Sequence, residues 1–332
     1  MNRRIMVLAA AATLAACGAG APSAVAPVPT SLNRFKLDYR TSWVLPDAAR
    51  QRTLAFITDH LKNDVYIFAL PSMKLVGTLT GFTGLAGACS DTQGNVWVAD
   101  QSAIVELSHS GKVLKTLNDT YGFAQGCAVD PATGDLAVTD FLDAKGASGD
   151  VLLYPHASGT PTRYTCSGVN QYYFDGFGPG STLWMNGFTQ SGSYVMCGGS
   201  PSTLTPLPIS GGTPYFPSAV QWDNVHSTWV VFDAFCQNRQ GTCSYPVSGS
   251  GVLGKPTYYS TYHQGKQICS MGEPAIGGSG NNSVVGGDFE DCGNALTSAD
   301  RWPYPAGGKP TNYHLFTIDR HTYPFGAAIS AI

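Results

Sequence analysis

The sequence predicts an all-β fold: a six-bladed β-propeller of four-stranded blades, closed into a ring by its C-terminal strand. Three observations lead to this prediction. Glycine and proline supply 39 and 21 of the 332 residues, which is typical of short strands joined by tight turns. Charged residues make up only 12% of the chain, about half of the ordinary share. A strand–turn–strand unit recurs roughly every 40 to 55 residues, close to the period of propeller blades.

The N-terminal segment has the pattern of an export signal. Arg3 and Arg4 precede an apolar run over residues 5–16, which is shorter than the roughly 20 residues that span a bilayer. The run ends in Leu-Ala-Ala before Cys17, and this ending resembles the bacterial lipobox, in which the cysteine receives the lipid. We therefore expect residues 1–16 to be a lipoprotein signal peptide and Cys17 to be the lipidated N-terminus. An ordinary cleaved signal peptide, with Cys17 incidental, is the alternative.

The segment after Cys17 is expected to be a tether. It is rich in Ala, Pro and Ser, carries no charge up to about residue 31 and is too short of large apolar side chains to build a core. We assign residues 17–50 to the lipidated cysteine, the tether and a lead-in, and residues 51–332 to the propeller. The chain is then anchored to a membrane of the bacterial cell envelope by its lipid and lies outside the cytoplasm, in the periplasm or on the outer surface.

Internal repeats define the blades. Residues 88–100 and 127–140 both read as strand, tight turn and strand, with a glycine at the turn. In each repeat a polar residue closes the second strand, and looser copies carry the same feature. The closing residues are Asp59, Asp100, Asp140, Asn186, Asp233 and Asp288. A carboxylate at the same place in successive repeats is expected to accept backbone hydrogen bonds at a strand end and not to act in catalysis.

The two ends of the repeat region indicate how the ring closes. The first repeat begins at its second strand, whereas residues 324–330 look like an inner strand with nothing after it. We expect the C-terminal strand to complete blade one, which removes a free sheet edge. A seven-bladed ring that uses residues 32–46 in an extra blade is the competing architecture.

Eight cysteines remain besides Cys17, an even number that suits disulfide bonds in an exported chain. Cys236 and Cys243 flank a short polar loop, and Cys89 and Cys127 occupy matching positions in successive repeats, so these two pairs are expected first. The other four are Cys166, Cys197, Cys269 and Cys292. A metal-thiolate site is not expected, because the chain has no C-x-x-C motif and no histidine at ligand spacing from a cysteine pair.

Residues 94–111, with Gly-x-Val-Trp-Val-Ala-Asp followed by an Ile-Val-Glu strand and a glycine turn, resemble the NHL repeat. The predicted ring resembles the wider NHL and gluconolactonase-like propeller superfamily over most of residues 53–332. That superfamily includes lactonases, esterases, lyases, peptide-processing enzymes and non-enzymatic binding domains, so the resemblance implies a fold and leaves the function open.

The resemblance also implies where a metal would lie. Gluconolactonase-like enzymes hold a divalent cation on the channel axis through Glu, Asn and Asp side chains just before the innermost strands. The matching polar positions here are Gln125, Asp175 and Glu273, together with Ser218. Two carboxylates and an amide oxygen suit Ca²⁺ or another divalent cation, which could activate water for hydrolysis. Ordinary polar residues in a wet channel are the competing interpretation, and no other cofactor is expected.

Charge and motifs exclude several function classes. With 19 Lys and Arg against 22 Asp and Glu and no basic run, the chain lacks the electrostatic footprint of nucleic-acid binding. No G-x-S-x-G, H-E-x-x-H or phosphate-binding loop occurs, and the G-x-G-x-x-G match at residues 249–254 precedes a strand-like run, so it reads as a hairpin loop. The aromatic residues around blade four are expected to pack between blades, and stacking on sugars or peptides is the alternative. They are Tyr172, Tyr173, Phe174, Phe177, Trp184 and Phe188.

Two functions follow from these observations. The first is a monomeric, lipid-anchored binding or scaffold propeller that presents its loops to a protein, glycan or small-molecule ligand. The alternative is a metal-dependent hydrolase or lyase of the gluconolactonase-like type with its site at the channel mouth.

Overall fold

The computed structural model describes seven parts of the chain: residues 41–236, 241–260, 262–263, 266–267, 271–288, 297–316 and 322–332. The predicted signal peptide, the lipidation candidate Cys17, most of the predicted tether, Cys269 and Cys292 lie outside these residues. Among the described residues, no helix has both the length and the apolar character needed to cross a bilayer.

Six antiparallel sheets form the blades, and each blade contributes its innermost strand to a central channel. The strands of blades one to three, from inside to outside, are as follows. Blade one has Pro324–Ala331, Thr53–Asp59, Asp64–Ala69, Lys74–Leu79 and Trp43–Val44. Blade two has Leu85–Ser90, Val96–Asp100, Ala103–Leu107 and Val113–Asn118. Blade three has Gly122–Val129, Leu136–Asp143, Ser148–Tyr154 and Thr162–Tyr164.

Blades four to six follow the same order. Blade four has Gln171–Gly178, Thr182–Phe188, Tyr194–Gly199 and Thr205–Leu207. Blade five has Pro217–Asp223, Thr228–Asp233, Thr242–Val247 and Thr257–Tyr259. Blade six has Ala275–Gly277, Ser283–Asp288, Thr297–Pro303 and Asn312–Phe316. A separate hairpin pairs Tyr262–His263 with Lys266–Gln267, and short 3-10 turns cover Ala48–Arg50, Pro155–Ala157, Pro179–Ser181 and Pro201–Thr203.

The C-terminal strand closes the ring in the way that the sequence predicts. It pairs antiparallel with the second strand of blade one, from Thr53 opposite Ala331 to Asp59 opposite Pro324. Trp43–Val44, at the end of the segment that a seventh blade would need, instead pairs with Lys74–Leu79 as a fifth, outermost strand of blade one. The ring therefore has six blades.

Apolar side chains fill the spaces between adjacent blades. Between blades four and five, Trp184 and Trp229 stack with ring centroids 4.4 Å apart and planes 4° from parallel. Tyr172 and Phe177 are buried in the core between blades three and four. These residues confirm that part of the aromatic run around blade four packs between blades, where burial of large rings stabilises the ring.

Three disulfide bonds occur among the described residues. Cys89–Cys127 joins the inner strands of blades two and three, and Cys166–Cys197 joins the segment after blade three to the third strand of blade four. Cys236–Cys243 closes a loop within blade five. The first and third of these bonds are the pairs that the sequence favoured. Since Cys236 and Cys243 are bonded to each other, they offer no thiolate to a metal beside Asp233.

Several of the residues that close the second strands accept hydrogen bonds from the loop that leads into an inner strand, or from the start of that strand. Asp100 Oδ1 accepts hydrogen bonds from the backbone N–H groups of Thr83 and Gly84, at 2.8 and 2.7 Å. Asp59 accepts a bond in the same way from the N–H of Tyr323, at 3.0 Å. In blade four, the Asn186 amide oxygen accepts from the N–H of Phe174 at 3.2 Å. This is the structural role that the sequence predicts for them.

Candidate functional site in the central channel

The inner strands enclose a cavity of about 190 Å³ in the central channel. Its lining comes from all six blades, and Asp175 and Glu273 are its two acidic groups. At the far ends of the inner strands the lining includes Ser90, Trp222 and Ile329, which are only half-buried, so the cavity is open to solvent on that side. The two acids are buried and lie at its inner end.

Aromatic rings lie beside the two acids, on the side where the inner strands begin. The rings of Phe174 and Phe325 have their centroids 5.9 Å apart. Phe174 directly precedes Asp175, and Phe325 accepts the backbone hydrogen bond from Glu273 N at 2.9 Å. The two acids therefore line the cavity close in the chain to aromatic residues, at the side where the inner strands begin.

Glu273 is fixed by contacts to two other blades. Its backbone pairs with the C-terminal strand, since Ala327 N donates to Glu273 O at 2.8 Å. Its side chain reaches blade two, where Oε2 accepts a hydrogen bond from Ala88 N at 2.7 Å. A Cβ atom at Gly87 would lie 2.4 Å from Oε2, so glycine at this position makes the close approach possible.

Asp175 lies in the inner strand of blade four, next to an irregularity in the pairing of that strand with its neighbour. Neither of its carboxyl oxygens has a hydrogen-bond partner among the described residues. Burial raises the pKa of Asp175 well above its ordinary value. Burial also raises the pKa of Glu273, and the charge of Asp175 adds to this effect. Without a nearby cation, both groups therefore favour the neutral form.

The structure brings together two of the three residues that the sequence offered as metal ligands. Gln125 is half-buried on the inner strand of blade three and is not among the residues that line the cavity. Ser218, the matching residue of blade five, donates its hydroxyl hydrogen bond to the carbonyl of Gly272. Two carboxyls are hard oxygen ligands of the type that Ca²⁺ binds, but Ca²⁺ takes about six to eight oxygens. Most of that shell would have to come from water, so the set fits a cation only in part.

A second feature of the channel region is a cluster of six rings that we call the aromatic face. Its members share the side of the propeller where inner strands begin and second strands end. They are Phe141, Tyr173, Phe188, Tyr215, Phe216 and Phe235.

The rings of the aromatic face contact one another edge to face. Phe216 lies with its centroid 5.5 Å from those of Tyr173 and Phe188 and 5.2 Å from that of Phe235. Tyr173 and Phe188 are buried, Phe216 and Phe235 are half-buried, and Tyr215 is 50% exposed. The cluster therefore runs from the core to the surface and offers ring surface to solvent.

Asp233, the closing residue of blade five, positions this surface. Its carboxyl oxygens accept hydrogen bonds from the N–H groups of Tyr215 at 2.7 Å and of Phe216 and Phe235 at 3.0 Å. The sequence identified Tyr173 and Phe188 as part of an aromatic run but missed the other four rings. Phe141 lies near the end of the second strand of blade three, and the other three rings lie in loops of blade five. Only an alignment of the repeats, which places these positions beside the closing residues, could have grouped them.

A larger pocket, of about 330 Å³, lies between blades two and three. Its polar side chains already have local partners: Asp91 accepts from the N–H groups of Gln93 and Asn95 at 2.8 Å, and the Lys115 ammonium donates to Ala157 O at 3.0 Å. We therefore regard it as a groove between blades and not as a binding site.

Comparison with known proteins shows the fold and no more. No known protein family and no curated protein matches the chain, so the resemblance to the NHL and gluconolactonase-like superfamily stays an expectation. A Bacteroides caccae protein of unknown function aligns over 84% of this chain and 99% of its own, with 10% identity and a TM-score of 0.62. A chain from a nidogen/laminin complex aligns over 84% and 98%, with 12% identity and a TM-score of 0.62.

A third solved structure is that of a functionally unknown protein from Desulfotomaculum acetoxidans. It aligns over 84% of this chain and 99% of its own, with 11% identity and a TM-score of 0.55. At these identities the similarity establishes a shared β-propeller architecture and carries no assignment of activity.

Proposed function

We propose that the protein is a lipid-anchored binding module of the bacterial cell envelope, and that it binds a glycan through the aromatic face. The observation that carries this proposal is the continuous ring surface from Tyr173 in the core to half-exposed Tyr215. Aromatic rings held rigidly at a surface supply a large contact area with little loss of side-chain freedom on binding. The flat apolar faces of sugar rings suit such a surface, and the low share of charged residues, 12%, suits an uncharged ligand.

The test measures binding of the full chain to soluble glucan, chitin and peptidoglycan fragments by calorimetry. Tyr215→Ala should weaken binding about tenfold or more, as expected when an aromatic residue central to an interface is truncated. Tyr258→Ala is the matched control, because Tyr258 is 43% exposed on the outermost strand of blade five. If no fragment binds, or if both variants weaken binding equally, the proposal is wrong.

The membrane anchor is tested separately. Cys17→Ala should abolish incorporation of a labelled fatty acid and move the protein from the membrane fraction to the soluble fraction. Cys269→Ala, with the lipobox intact, should keep the label. Retention of the label in the Cys17→Ala variant would contradict the anchor and leave the aromatic face unaffected.

One observation favours the second function, a metal-dependent hydrolase or lyase. Asp175 and Glu273 share one cavity, and a bound divalent cation would compensate their buried charges. Elemental analysis of the purified chain should then show metal that is lost in Glu273→Gln, a variant that keeps an acceptor for Ala88 N. Glu106→Gln, an acid outside the cavity, is the control. If Glu273→Gln holds as much metal per chain as the unaltered protein, the channel site is excluded.

A further inference from the structure

Three buried carboxyl groups converge in blade three, away from the channel. Asp119 lies in the loop that leads into this blade, Asp140 on its second strand and Asp150 on its third. Their exposed fractions are 2%, 0% and 1%. Asp140 and Asp150 are direct partners in the pairing of the two strands, and the carboxyl of Asp140 contacts those of both other residues.

Asp140 departs from the role of the other closing residues. In blade three the lead-in loop is tied by Asp119, whose Oδ1 accepts from the N–H groups of Tyr121 at 2.7 Å and Gly122 at 3.2 Å. Asp140 is therefore not needed for this purpose. Neither of its oxygens meets a hydrogen-bond donor among the described residues, and the same holds for Asp119 Oδ2 and Asp150 Oδ1.

Only one positive side chain compensates this cluster in the described part of blade three. Arg163 donates from Nε to Asp150 Oδ2 at 2.8 Å, and its guanidinium group lies 4.7 Å from the centre of the Tyr121 ring. The nearby hydroxyl of Tyr154 donates to the carbonyl of Asn118 at 3.2 Å. Three carboxylates against one guanidinium leave two negative charges without a partner, which is costly in a buried position.

We propose that Asp119, Asp140 and Asp150 form a binding site for a divalent cation, with Ca²⁺ as the best fit. Carboxylate oxygens are the ligands of hard cations, and Ca²⁺ tolerates irregular geometry and completes its shell with carbonyl oxygens and water. Its two charges match the two that Arg163 leaves uncompensated.

Gly122 packs closely against the cluster. A Cβ atom at this position would lie 2.5 Å from Asp140 Oδ2 and 2.6 Å from the carbonyl oxygen of Leu142. Glycine at this position therefore lets the backbone at the start of the inner strand approach the Asp140 carboxyl closely.

The site has a structural consequence for the aromatic face. Phe141 follows Asp140 in the chain, and its ring packs edge to face on Tyr173 with centroids 5.2 Å apart. A cation held by Asp140 would bind the lead-in loop to the second and third strands directly beside this ring. Bound Ca²⁺ therefore fixes one edge of the aromatic face, and this consequence holds whether or not that face binds a glycan.

The experiment is a melting-temperature and calorimetric titration of the purified full chain with CaCl₂, after treatment with a chelator. We expect Ca²⁺ to bind and to raise the melting temperature of the unaltered chain by several degrees or more, because a ligand of the native state stabilises it. Asp119→Asn should abolish this response. The substitution keeps Oδ1 as acceptor for the loop and replaces only the free oxygen, so the variant should still fold.

Two further variants distinguish this site from the channel acids and from a network in which the three carboxyls share protons and bind no cation. Glu273→Gln should retain the full Ca²⁺ response, since the channel acids are not involved. Asp140→Asn should lose the response and, at pH 8 without Ca²⁺, melt at a higher temperature than the unaltered chain. If the unaltered chain shows no Ca²⁺ response, or if Asp119→Asn keeps it, the carboxyls share protons instead and the proposal is overturned.

Discussion

Asp64 is an acidic residue that lies next to a second acidic residue on the adjacent strand. It lies directly opposite Asp59 in the pairing of the second and third strands of blade one. Burial, followed by the charge of Asp59, raises the pKa of Asp64 to about 6. Like charges opposite each other on adjacent strands destabilise a sheet, so this pair works against the stability of blade one at neutral pH.

We predict that Asp64→Asn raises the melting temperature at pH 7.5 and leaves it nearly unchanged at pH 3.5. An acid whose pKa is higher in the folded state than in the unfolded state destabilises the fold as pH rises from about 4 through about 6, and the full penalty is present above that. Below pH 4 the group is protonated in both states. Thermal unfolding of both proteins across this range measures the effect, and a gain in stability that is equal at the two pH values would contradict it.

The role of a single residue was predictable where the repeat gives several blades a residue with the same role. The repeat pattern assigned Asp100 and Asp233 correctly as structural, because their place at the end of a strand is visible in the sequence. It gave Asp140 the same role, and the structure shows otherwise. The difference depends on Asp119 and Asp150, which approach Asp140 only after the strands have paired, so no local pattern contains it.

Among the strands and turns, one interaction recurs: a carboxyl or amide oxygen at the end of a second strand accepts hydrogen bonds from the start of an inner strand. The alternation of strands and glycine turns predicted these elements well: Gly94 and Gly111 take positive φ values of 81° and 78° at two turns of blade two. The arrangement of the candidate site could not be predicted from the sequence. Asp175 and Glu273 meet because inner strands of different blades converge on one axis, whereas the Gln125 side chain does not reach the same cavity.

We predict that Asp100→Ala destabilises the protein by about 1–3 kcal/mol, the usual cost of leaving buried N–H donors unsatisfied. The donors are the backbone groups of Thr83 and Gly84. Asp100→Asn should cost much less, because the amide keeps an acceptor oxygen, as Asn186 does in blade four. Urea unfolding of the two variants compares these costs. Equal destabilisation by both substitutions would show that charge and not hydrogen bonding is the cause.

For the whole molecule, stability depends on contacts between blades that are distant in sequence. The number of blades and the closure by the C-terminal strand were predictable. The first repeat lacks an inner strand, and the C-terminal segment supplies one strand that belongs to no other repeat. The short fifth strand Trp43–Val44 was not predicted as such, because two residues carry no periodic signal. The aromatic face was not predicted as a cluster, since its rings come from strands and loops of three blades.

The disulfide bond between the inner strands of blades two and three acts at this scale. We predict that the double variant Cys89→Ser/Cys127→Ser is destabilised by about 2–4 kcal/mol, because the bond constrains the unfolded chain over a separation of 38 residues. Denaturant unfolding under non-reducing conditions measures the loss. Cys236→Ser/Cys243→Ser, which opens a loop with a separation of only 7 residues, is the control and should cost less. A larger loss in the control would contradict the entropic explanation.

The closure of the ring also fixes an order of events during synthesis. Ile332 N donates to Arg52 O at 3.1 Å, so the last residue of the chain lies against the first strand of the propeller repeats. As the ribosome makes the chain from its N-terminus, blade one has to wait for residues 324–331 before it acquires its innermost strand. Until then Thr53–Asp59 presents an unpaired edge, the kind of template on which chains associate. A chain that lacks residues 324–331 would therefore tend to associate with other chains through this edge and would not form a slightly smaller propeller.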